Sequence, residues 1–321
     1  MIKKTVGPRF APLALGLVGL TAMLLVPRMS EASEPASTTM PIAVVYADAL
    51  EAVFPAGAPD ACVGREVRCL LSERYAGDTA ARRAALALFD ETGSVAGAEA
   101  ETTMDGGYRG QVRVVPEWPV GAHAKHLRWV LSAQREIANL MGHVVREQKQ
   151  APVFRHTGLQ FRFMRTVGGT TPSAYADGWT VTYNVSGSLM TSPVVVRDLI
   201  VHEVFHLNDR NDWSRRVLGP TVDRISSRCG TDRACLAPYA PRKLTVRGGT
   251  FYSFQPNNGD IAAEYGAELA ARYVAEQLAS LNGRAHPDGW FKCVNADNAN
   301  MMKLLREAFF AGFDATPPCS L

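Results

Sequence analysis

Two histidines four residues apart stand in the run His202-Glu203-Val204-Phe205-His206. On an α-helix, residues i and i+4 project from one face, about 6 Å apart along the axis. Two imidazoles so placed can hold a single metal ion, and Zn2+ is the ion that such nitrogen donors suit. Glu203 directly follows the first histidine. It is too near in sequence to be the third ligand, yet it projects toward the same site, where a carboxylate can take a proton from a metal-bound water. The chemistry implied is hydrolysis, with His202 and His206 as ligands and Glu203 as general base.

A catalytic zinc takes three protein ligands and one water, so a third donor is required. Glu264 and Glu268 lie four apart in Ala262–Gln277, a stretch that reads as a helix with Gly259-Asp260 as its start signal. One of these carboxylates can bind the ion. The other can accept the ring N–H of a ligand histidine and so fix its tautomer. Asp209, three residues after His206, and Asp260 compete as third ligand. Ala263, Gly266 and Ala267 flank the glutamates, which points to close packing of this helix against another element.

His202-Glu203-Val204-Phe205-His206 followed by a glutamate on a later helix resembles the gluzincin metallopeptidases. Within that group, Glu264-Tyr265-Gly266-Ala267-Glu268, preceded by Phe251-Tyr252-Ser253, is similar to the catalytic domain of anthrax lethal factor and its relatives. The resemblance covers about 155–280. It implies zinc ligands His202, His206 and Glu264, general base Glu203, and a phenol at Tyr252 that stabilises the oxyanion. Glu268 then remains as the carboxylate behind a ligand histidine.

The elements that must hold these groups can be read around them. Ser192 caps and Pro193 opens a helix whose apolar face is Val195, Leu199, Val201, Val204 and Phe205. Residues 174–188, β-rich and just before that helix, are expected to form the edge that pairs with an extended substrate. Gln160–Arg165 and Tyr108–Val115 alternate as strands. His123–Glu147 reads as a long amphipathic helix whose histidines (His123, His126, His143) lack a ligand spacing, Ala80–Phe89 as a shorter one, and Ala299–Phe310 as a C-terminal one. Thr92–Thr103, small and acidic with two glycines, reads as a loop. The fold expected is α+β and zincin-like: a small mixed or antiparallel sheet, the active-site helix, and a second helix carrying the third ligand.

Met1–Ala32 has the form of a cleaved signal peptide: Lys3, Lys4 and Arg9, then an apolar run, then Ser30-Glu31-Ala32. A flexible lead-in, Ser33–Pro41, follows. An N-terminal scaffold part (33–150) and a catalytic part (151–321) are expected, either as two parts or as one continuous domain. Six cysteines fall into sequence neighbours, and in an exported chain the expected pairs are Cys62–Cys69, Cys229–Cys235 and Cys293–Cys319. A net charge of +3 without a basic run gives no footprint for nucleic acid. The expected protein is a secreted or periplasmic zinc metallopeptidase, a monomer acting on polypeptides, with no stable membrane association once the signal is cut. A zinc-dependent hydrolase of a non-protein amide, such as one of the cell wall, and a non-catalytic zinc-binding protein are the alternatives.

Overall fold

The structure, a computed structural model, describes residues 42–64, 66–106, 110–246, 248–256 and 259–319. The expected signal peptide and lead-in, the Tyr108 end of the first expected strand, and Asn257-Asn258 lie outside the described residues. Residues 42–319 belong to one compact unit.

The described residues begin with three α-helices, α1 (Ile42–Val53), α2 (Val67–Arg74) and α3 (Thr79–Thr92). The third is set by local chemistry at both ends. Asp78 accepts hydrogen bonds from the amides of Ala80 and Ala81 at 3.0 Å, and Gly93 stops the helix in the left-handed conformation.

Six strands then build a mixed sheet: β1 (Val95–Ala98), β2 (Thr102–Asp105), β3 (Gln111–Pro116), β4 (Gln160–Thr166), β5 (Ala174–Asp177) and β6 (Thr180–Asn184). Their order is β2-β3-β4-β6-β5, with β1 also beside β4. One edge of β4 is divided between two partners. Gln160–Phe163 pair with β1 in parallel, and Met164–Thr166 pair with β3 antiparallel. Its other edge pairs with β6 in parallel, and β6 carries β5 antiparallel as the outermost strand.

The stretch expected as a loop, Thr92–Thr103, instead contains β1 and the start of β2. All four residues of β1 are buried, so Val-Ala-Gly-Ala shows no inside–outside alternation to mark it as a strand. Its small side chains are a packing requirement. A Cβ on Gly97 would stand 2.5 Å from Cβ of Ala52 on α1. The expected single edge segment 174–188 is a hairpin, with β5 and β6 joined through Gly178 and Trp179, both at positive φ.

Phe161, Phe163, Val181 and Tyr183 line one face of the sheet and are fully buried. The long helix α4 (Ala124–Gln148) meets this face, where the Tyr183 hydroxyl lies 2.9 Å from Nδ1 of His126. Helix α5 (Pro193–Asn208) packs against α4, against the sheet and against the later helix α8 (Ile261–Leu281). Between α5 and α8 lie α6 (Gly219–Cys229) and the short α7 (Arg233–Leu236), joined by Cys229–Cys235. The C-terminal helix α9 (Ala296–Phe309) begins three residues before its expected start, because Asn295 accepts from the amide of Asn298 at 2.9 Å. Phe309 meets Phe205 of α5 edge-on at 5.1 Å and Trp213 at 4.8 Å between ring centroids. Each such buried aromatic contributes about 1.5–3 kcal/mol to holding α5 in place.

All three expected disulfides are present, bonds that persist in oxidising compartments. Among the described residues, no helix is long and apolar enough to cross a membrane.

Candidate metal centre

Helix α5 is opened by Ser192, whose Oγ accepts from the amide of Val195 at 3.3 Å, with Pro193 in the first turn. Its last two turns present His202 and His206 to Glu264 of α8, with Glu203 buried beside His202. The approach of the two helices is close. A Cβ on Gly266 would stand 2.2 Å from Oγ of Ser214 and 2.9 Å from Cε1 of Phe205. Glycine at that position lets the glutamates on either side of it, Glu264 and Glu268, reach the histidines.

Nε2 of His202 lies 3.1 Å from Nε2 of His206 and 3.3 Å from Oε2 of Glu264, and Oε1 of Glu264 lies 3.8 Å from Nε2 of His206. These three residues form the one group of metal-ligating type found among the described residues. Tetrahedral zinc, with bonds of ~2.0–2.1 Å, places its nitrogen and oxygen donors roughly 3.3 Å apart. The observed spacings fit. Oε2 of Glu264 is also buried without a hydrogen-bond partner among the protein groups, the condition of a donor awaiting a cation.

Charge agrees with geometry. Glu203, Glu264 and Glu268 bring three carboxylates to a largely buried site, and one guanidinium, Arg242, stands against them. Burial disfavours the charged form of His202. The Glu264 and Glu268 carboxylates, with Glu203 behind them, outweigh that and lift it to about 10. Burial and the neighbouring His202 hold His206 down to about 4. Burial pushes Glu203 up to about 7, with Glu264 and Glu268 adding to the rise and His202 opposing it. A carboxyl so placed suits proton exchange near neutral pH.

Glu268, 1% exposed, lies on the opposite side of His202, with Oε1 3.1 Å from Nδ1. Burial raises its pKa, but Arg242 and His202 bring the net shift below the usual carboxylate value. A carboxylate at this distance can orient a ligand imidazole, although His202 Nδ1 makes no hydrogen bond as the ring stands. Arg242 donates to the same oxygen at 3.1 Å. Behind it, Asp198 lies 4.0 Å from Arg242 and is bonded by Arg197, which also reaches Glu136 at 2.9 Å.

The Tyr252 ring packs edge-on against His202, with centroids 5.8 Å apart. Its hydroxyl is raised above the ordinary phenol value by burial first, then by the charges of Glu264, Glu203 and Glu268. The two competing acids stand elsewhere. Asp260 caps α8, accepting from Ala262 at 2.8 Å, and Asp209 accepts from the amide of Ser214 at 2.8 Å. Of the other histidines, His126 is buried against Tyr183 and Trp129 and is outside the metal-ligating group found among the described residues.

Arg242 and Asp198 were not singled out by motif. Asp198 precedes His202 by four residues, so the helical spacing carried a signal. Arg242 lies 26 residues before Glu268 in an irregular stretch, and no periodicity marks it.

Comparison with known proteins gave no match: not to a family model, not to a curated protein and not to a solved structure.

Proposed function

We propose that the chain is an exported, zinc-dependent metallopeptidase of gluzincin type with a zincin-like catalytic fold. The observation that carries this reading is the His202–His206–Glu264 donor group, at tetrahedral spacing, with Glu203 beside it. When bound, zinc supplies Lewis acidity, which polarises a carbonyl and makes a water more acidic.

The remaining work falls to the side chains of this chain. Glu203 accepts a proton from the attacking water as its oxygen adds to the scissile carbonyl carbon. It then delivers that proton to the amide nitrogen as the C–N bond breaks, leaving a carboxylic acid and an amine. Tyr252 donates its phenolic O–H to the oxygen that gains charge. Glu268, backed by Arg242, orients His202 through Nδ1. The outermost strand β5 offers unpaired backbone groups beside α5, so an extended polypeptide adds there as a further antiparallel strand.

The test is zinc content and peptide cleavage in wild type and Glu203→Gln. About one zinc per chain in both, with turnover at least a hundredfold lower in the variant, is expected. A wild type without zinc, or a variant of undiminished activity, refutes the reading.

A further inference from the structure

Arg242, which donates to Glu268 on the Nδ1 side of His202, lines a cavity of about 480 Å3. Its floor extends the same faces of the two helices that carry the donors. On α5, Val195 and Asp198 precede His202 by seven and four residues. On α8, Ala271 and Ala275 follow Glu264 by seven and eleven, one stripe at helical spacing. A wall is formed by Arg242–Leu244, and the Leu244 carbonyl accepts from the amide of Tyr252 at 2.8 Å. The rim includes Leu189, whose amide donates to Oγ of Ser173 at 3.3 Å, next to the first residue of β5. A polypeptide laid antiparallel on β5 runs from the Asp177 end toward Ala174. It therefore enters the cavity with the residue on the C-terminal side of the bond to be cut.

Two charged groups, Asp198 of the floor and Arg242 of the wall, decide what fits. Among the described residues, the one hydrogen bond made by Arg242 is to Oε1 of Glu268, so most of its five N–H groups remain for a ligand. Asp198 receives Arg197 on Oδ1 alone, which leaves Oδ2, 4.0 Å from Nη2 of Arg242. A cationic donor and an anionic acceptor thus sit side by side. A ligand carboxylate gains Arg242 and meets the charge of Asp198. An ammonium gains Asp198 and meets Arg242. An apolar side chain offers no hydrogen bond to the remaining N–H groups of Arg242 or to Oδ2 of Asp198. A primary amide satisfies both, its carbonyl accepting from Arg242 and its NH2 donating to Asp198. At the rim, Lys243 and Asp288 are paired with each other, and Arg272 is fully engaged by Glu276, Asp288 and two backbone carbonyls.

We infer that this cavity is the subsite for the side chain that follows the scissile bond, and that it selects a primary amide, glutamine or asparagine. The inference rests on the metallopeptidase reading and adds its substrate class.

The test is the affinity of hydroxamate-capped dipeptides for the zinc-reconstituted protein by calorimetry. Their first side chain is Gln, Asn, Glu, Lys, Leu or Gly. The Gln or Asn compound is expected to bind at least tenfold more tightly than the Glu, Lys and Leu compounds, because each of those leaves a buried polar group unpaired. Asp198→Asn is expected to move the ranking toward Glu. A ranking led by Leu, or Glu or Lys equal to Gln, overturns the selectivity while leaving the metal site standing. Failure of every compound to bind, the Gly one included, overturns the metal reading itself and this inference with it.

Discussion

Gly266→Ala sets two opposed effects against each other. In a helix interior, alanine is favoured over glycine by about 1 kcal/mol. Against this, the new Cβ meets Ser214 Oγ at 2.2 Å, Ser214 Cβ at 3.1 Å and Phe205 Cε1 at 2.9 Å. Ser214 Oγ can rotate away, but Ser214 Cβ cannot, and the Phe205 ring is wedged by Trp213 and Phe309. Overpacking of this kind costs about 1–3 kcal/mol, and the immobile neighbours place it at the upper end. The net expectation is a loss of about 1–2 kcal/mol, read as a lower urea midpoint at unchanged m. The same displacement moves α8 off α5 and carries Glu264 and Glu268 with it. Zinc affinity, measured by chelator competition, should therefore fall at least tenfold. Adding Ser214→Ala should recover part of both losses, since the two changes share a contact. A more stable Gly266→Ala protein with unaltered zinc affinity would refute the close-packing account of how the donors meet.

Two further outcomes can be checked directly. Glu264→Ala should lower zinc affinity sharply, whereas Asp260→Ala should leave it near the wild-type value and instead weaken the start of α8 by about 1 kcal/mol; zinc competition and urea unfolding on the same two variants separate the roles. Burial, aided by Lys125 and His123, holds His126 down to about 4 from its ordinary 6.5. The unfolded chain therefore binds a proton below pH 6.5 that the folded one refuses until about pH 4, so stability falls as pH drops through that window. In His126→Gln the stability lost between pH 7 and pH 5 should be smaller by about 1–2 kcal/mol; an identical loss in both proteins contradicts the assignment.

The donor group was legible because its information is local. His202, Glu203 and His206 sit within one helix whose cap, Ser192-Pro193, is also in the sequence, and Glu264 and Glu268 share a helical face. Helix interiors were likewise readable by period. What escaped was set by contacts between distant segments. β1 has no alternation because both its faces are covered, and Ala52, which fixes the need for Gly97, lies 45 residues upstream. Arg242 acquires its place only when the irregular stretch before Tyr252 folds onto α8.

The divided edge of β4 has a consequence for the order of assembly. β1 and β3 are made before β4, and each finds part of its pairing only along that later strand, with the whole of α4 intervening. Until residues 160–166 exist, the first half of the chain carries strands with open hydrogen-bonding edges and an unroofed apolar face. The sheet therefore closes late and all at once, around a single strand that three others share. The interval before it closes is when the nascent chain most needs shelter from its own kind.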